Sequence, residues 1–75
     1  MHITYDPEAD VLAITWREAE IVDGREVAPD LVVESDSSGL PVYVELLNAS
    51  KHIDGDPLTV TLEFLAPEVA PVGGK

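Results

Sequence analysis

Short runs of two-residue alternation, each closed off by Pro, Gly or Asp, set the strongest limit on how this chain folds. A period of two places successive side chains on opposite faces of a strand, and runs of this length are too short for helices. Residues 2–5 (HITY) put Ile3 and Tyr5 on one face, and an Asp6-Pro7 turn leads into VLAITW, residues 11–16. There Leu12, Ile14 and Trp16 share one face and Val11, Ala13 and Thr15 the other, which is the mark of an inner strand covered on both sides. LVVES (31–35), DSSG (36–39) and LPVYVEL (40–46) read as a hairpin, with Gly39 available for a positive φ. Leu31 and Val33 then face the core with Val42, Val44 and Leu46, and Pro41, which has no N–H, belongs near a strand start. LTVTLEF (58–64) alternates cleanly and predicts a further strand.

The connections are less sharply written. Asp23-Gly24 has the chemistry of a two-residue turn between Glu20–Val22 and Arg25–Ala28. A single helical turn across Pro7–Asp10 is an alternative to a plain turn. Asn48–His52 predicts a short helical turn with Asn48 as its N-cap, stopped by Asp54-Gly55-Asp56-Pro57. The expected fold is mainly β: a small antiparallel meander of four to five strands with a helical turn near residues 48–52, α+β being the alternative. Residues 1–65 would form the one domain and residues 66–75 a Pro/Gly-rich tail.

Composition bounds the rest. With 75 residues there is room for one domain, and ten Val, eight Leu and four Ile are too many for a disordered chain. A domain this small buries only about 60% of its unfolded surface, and the absence of Cys removes disulfide staples, zinc–thiolate sites and thiol chemistry together. A meander of this size also leaves two open edges, so a homo-oligomer is expected. Fifteen Asp and Glu against four Lys and Arg give a net charge of -11, which opposes phosphate backbones and anionic lipid. Direct nucleic-acid or membrane binding is therefore not expected, whereas a basic protein would be attracted. No run is long enough to span a membrane and the N-terminus lacks a signal-peptide pattern, so a cytoplasmic location is expected.

Few residues carry candidate chemistry. Asp6, Glu8 and Asp10 form the densest carboxylate cluster and are weak metal candidates, because Val11 and Arg17 stand where a calcium loop requires Gly and a bidentate Glu. The plainer reading has Asp6 capping the turn, Asp10 ending it and Glu8 in solvent. His2 and His52 have no metal-ligand spacing, and Ser50 beside Lys51 has neither a nucleophile elbow nor an oxyanion hole around it, so it reads as a helix-capping residue. Tyr5, Trp16, Tyr43 and Phe64 read as core or subunit-interface aromatics.

The opening M-H-I-T-Y-D-P-E-A-D-V-L-A-I, the V-A-P-D-L-V-V-E-S-D-S-S-G-L segment and the V-E-L-L-N-A-S-K close resemble the DUF2283 family of small bacterial proteins over about residues 1–52. Tyr5, Asp6, Glu8, Ala9, Asp10 and Leu12 match the family's Y-D-x-E-A-D-x-L opening, and Glu45, Leu47, Ala49 and Ser50 its I-E-I-L-D-A-S close. The chain departs from the pattern at Tyr43, where the family usually has Gly, and at Asn48, where it has Asp. The resemblance implies no established activity; some members look like acidic partners encoded beside small toxin-like proteins. The expected function is thus a non-enzymatic acidic interaction protein without a cofactor, antitoxin-like and binding a basic protein. The alternatives are a small metal-dependent enzyme using Asp6, Glu8 and Asp10, and a purely structural homo-oligomer.

Overall fold

A computed structural model describes residues 1–55 and 59–67 of the chain. Five strands, β1 (His2–Asp6), β2 (Val11–Thr15), β3 (Asp23–Ala28), β4 (Leu31–Ser35) and β5 (Pro41–Leu47), form one open antiparallel sheet, followed by a single helical turn, α1 (Ala49–His52). The mainly β architecture and the helix are those the alternation predicts.

The strand order is β1-β2-β5-β4-β3, so the sheet departs from a simple meander. Two hairpins, β1–β2 and β3–β4, flank the central strand β5. Residues 16–22 carry the chain along one end of the sheet. Trp16 N–H donates to the Val42 carbonyl (2.9 Å), Val22 N–H donates to the Ser35 carbonyl (2.9 Å), and Arg17 pairs with Asp36 at 2.6 Å. These contacts fasten the crossing run to β5 and β4 and deliver the chain to the far edge.

Two expectations are corrected here. Asp23-Gly24 is no turn: both residues lie in β3, where Gly24 stands opposite Glu34 and leaves room for that side chain, whose Cγ would come within 3.3 Å of an added Cβ. The expected strand over 58–64 is also absent; residues 59–64 have no regular structure and Leu58 lies outside the described residues. The chain leaves the sheet at β5, both of whose flanks are already taken by β2 and β4, so the nearest free edges are two strands away. Most of the expected tail, residues 68–75, lies outside the described residues as well. No helix among the described residues is long and apolar enough to cross a membrane.

The hairpin turn at 36–39 forms as the sequence predicts. Gly39 takes φ 83°, and the Asp36 carboxylate accepts the N–H groups of Ser38 (2.8 Å) and Leu40 (3.1 Å). Pro41 opens β5 opposite Ser35, where a register shift excuses it from the ladder. Among the described apolar residues, only Ala13, Val42 and Ala49 are buried. Among the described residues the sheet is a single layer, and a sandwich-type core would need a second layer packed on one face.

Candidate functional site

The family-type residues gather at one end of the sheet, where the two hairpin turns stand on either side of α1. Asp6 accepts the N–H groups of Glu8 (2.9 Å) and Ala9 (3.3 Å) on Oδ1, and its carbonyl accepts Asp10 N–H at 2.7 Å. The turn closes with Asp10 in the left-handed region, φ 58°, a conformation Asp and Asn tolerate better than most residues. From there the Asp10 carbonyl accepts Ala49 N–H (2.9 Å), and its carboxylate accepts the Ser50 N–H (3.0 Å), the Ser50 hydroxyl (2.6 Å) and the Tyr5 hydroxyl (2.7 Å).

Asp10 thus supplies the cap that was expected from Asn48. The Asn48 side chain makes no cap bond; Asn48 adopts φ 51°, and its amide donates to Asp30 Oδ1 at 3.2 Å. Asp30 mirrors Asp10 on the other side of the helix. It too has a positive φ (68°) and immediately precedes a strand, its carbonyl accepts Leu47 N–H (2.7 Å), and its carboxylate lies 2.9 Å from His52 Nε2. Sequence reasoning passed over Asp30 and this use of His52. The signal was the repeated arrangement of a Pro-containing turn ending in Asp directly before an apolar strand, at Asp10-Val11-Leu12 and again at Asp30-Leu31-Val32.

The electrostatics follow from the contacts. Hydrogen bonds from the Ser50 hydroxyl, then from Tyr5, hold the Asp10 carboxyl below the usual range, and the Tyr5 hydroxyl is raised by the same bond. His52 and then Asn48 lower Asp30 in the same way, and Arg17 lowers Asp36. Ala49, fully buried, leaves no room for a larger side chain at the first turn of α1. Asp6, Asp10, Tyr5, Ala49 and Ser50 are therefore tied up in mutual bonds that fix the turn and helix, while Glu8 is exposed. The carboxylates of Asp6, Glu8 and Asp10 do not converge, and among the described residues no three His, Asp or Glu side chains come together to hold a metal ion. Ser50 donates to Asp10, and His52 faces Asp30 on the other side of the helical turn.

The register makes the two faces of the sheet chemically unlike. One face carries two rows that run across all five strands: Ile3, Ile14, Val44, Val33 and Arg25, then Tyr5, Leu12, Leu46, Leu31 and Ala28. Only Arg25, on the edge strand, is charged. The opposite face carries Thr4, Ala13, Glu45, Val32 and Glu26 in one row and His2, Thr15, Tyr43, Glu34 and Gly24 in the next. Tyr43 donates to Glu45 (3.1 Å) and stands opposite Glu34; burial of the ring, then the bond to Glu45, raise its hydroxyl above the ordinary value. Glu26, Glu34 and Glu45 give this second face its negative character. Leu12 and Leu47 pack half-buried within β2 and β5, on the apolar and acidic faces respectively.

No curated protein and no solved structure matches the chain. The family model described as "Protein of unknown function (DUF2283)" matches residues 2–50, from the start of β1 to the Ser50 that locks α1 to Asp10. That span takes in both hairpins, the central strand and the Asp10–Ser50 clamp, and the chain belongs to the DUF2283 family.

Proposed function

We propose that the protein is a non-enzymatic cytoplasmic binding module whose acidic sheet face, centred on Glu26, Glu34 and Glu45, takes a basic protein partner in the manner of an antitoxin. The observation that carries this reading is the segregation of the faces: three carboxylates project from one side of β3, β4 and β5, while the inner strands of the other side are free of charge. On a chain of net charge -11 the field adds to these local groups, drawing basic surfaces in and repelling nucleic acid and anionic lipid. A metal-dependent enzyme built on Asp6, Glu8 and Asp10 has less support, because Asp6 is engaged with its own turn and Asp10 with Ser50 and Tyr5.

The test is capture from an extract of the native cell with the full chain and with a Glu26→Gln, Glu34→Gln, Glu45→Gln triple variant. The reading expects a basic protein retained by the native chain, released as salt rises, and lost with the triple variant. Retention that ignores both salt and the three substitutions would contradict it.

A further inference from the structure

We infer that the apolar face of the sheet is covered by the same face of a second copy of the chain, the two sheets packing as a symmetric sandwich with their acidic faces outward. The inference starts from what a sheet of this composition needs. Two rows of Ile, Val, Leu and Tyr run across β1, β2, β5 and β4, yet among the described residues no second layer lies over them: Ile3 and Trp16 on this face remain 43% and 44% exposed, and Leu12, Ile14, Leu31, Val33, Val44 and Leu46 are only partly buried.

The chemistry of the face selects the occupant. Two chains of charge -11 repel, and this is the broad surface on which they can approach with carboxylates kept to the rim, since β1, β2, β4 and β5 present no charged side chain to it. A face that is apolar across β1, β2, β5 and β4, with charge only at Asp23 and Arg25 on the edge strand β3, is complementary to itself, as a two-fold interface requires. A basic partner would find only Asp23 there, at the rim and already paired with Arg25 at 3.1 Å. The chain's own residues 59–65 do not fill the role: Val60, Leu62, Phe64 and Leu65 are 62%, 81%, 89% and 81% exposed.

Edge-to-edge pairing is the poorer way to associate. The β3 edge is blunted by Asp23, Gly24, Arg25, Glu26 and a register shift between Glu26 and Ala28. Pairing through β1 would extend the sheet and leave both apolar faces uncovered. Face-to-face packing removes the apolar rows from water and sets the sheets about 10 Å apart.

Light scattering on the full chain, from micromolar to near-millimolar concentration, tests the inference. The expected mass is twice the 8.1 kDa of one chain, and the dimer tightens as salt screens its charge, the opposite of the salt response expected for a basic partner. Ile3→Asp and Trp16→Asp change half-exposed positions that the isolated sheet tolerates, with circular dichroism reporting that it remains folded; each weakens the dimer by about 10-fold or more, because the carboxylate loses water on association. A Leu62→Asp, Phe64→Asp double variant leaves the mass unchanged. A monomer at every concentration overturns the inference. So does a dimer that survives Ile3→Asp and Trp16→Asp, or one that is abolished by the Leu62 and Phe64 substitutions, which would place the contact on residues 59–65.

Discussion

Ser50 and Asp10 are forty residues apart in the chain, and they are joined twice: the Ser50 hydroxyl donates to Asp10 Oδ2 at 2.6 Å and the Ser50 N–H to Oδ1 at 3.0 Å. A four-residue helix is too short to hold itself together, since nucleation is costly and only the first bond has been formed. The turn between β1 and β2 supplies what the helix lacks. Ala49 is then pressed into a fully buried position, and the end of β5 is fixed against both hairpins.

Removing the hydroxyl alone should therefore be felt globally. Ser50→Ala is expected to cost about 1 kcal/mol, which in a domain of this size lowers Tm by roughly 4–8 °C. Asp10→Ala should cost more, since it strips the partners of the Ser50 hydroxyl, the Ser50 N–H and the Tyr5 hydroxyl together and places Ala at φ 58°. Thermal unfolding followed by circular dichroism checks both the sign and the order.

Asn48 separates the backbone requirement from the side-chain one. At φ 51° a β-branched residue is strained, so Asn48→Val is expected to destabilise by about 1–2 kcal/mol beyond the loss of the Asp30 contact. Asn48→Gly keeps the backbone and loses only the side-chain bond, so its midpoint in urea should lie much nearer the native one.

The acid limb of stability should carry the marks of Asp10, Asp30 and Asp36. Each has its folded carboxyl lowered, by Ser50, His52 and Arg17 respectively as the leading cause, so each favours the folded state once ionised. That contribution is fully present above the unfolded carboxylate value of about 3.9 and is lost as pH falls through the lower folded values. Urea midpoints measured from neutral pH downward should be flat until the pH approaches the unfolded value and then fall. Asp10→Asn and Arg17→Gln should each make that fall shallower, and a limb with unchanged slope in both variants would contradict the assignment.

How much of this was legible in the sequence follows from where the information lies. The alternation of Leu31 and Val33 with Val42, Val44 and Leu46 is local, and it puts these residues on one face as expected, with Leu31 opposite Leu46 and Val33 opposite Val44, although of the five only Val42 is buried. Gly39 and Pro41 announced their positions because their backbones restrict them. The strand order was hidden, since it depends on where Trp16, Arg17 and Val22 fasten the crossing run to distant strands. Residues 59–64 show the converse: their pattern is that of a strand, but pattern supplies only a face and a strand also needs a free neighbour. The clamp was half visible, for Asp10 and Ser50 could be singled out by motif, while Asp30 and His52 acquire meaning only once α1 stands between two turns.

The most direct measurement compares the two faces in solution. A soluble paramagnetic chelate broadens the methyl resonances of the native chain according to their access to water, and Val32 and Val33 are adjacent in β4 but point to opposite faces. The account predicts that Val33, Val44 and Ile14 are shielded while Val32 is broadened. Equal broadening of Val32 and Val33 would contradict the claim that one face of this sheet is an interface and the other is open.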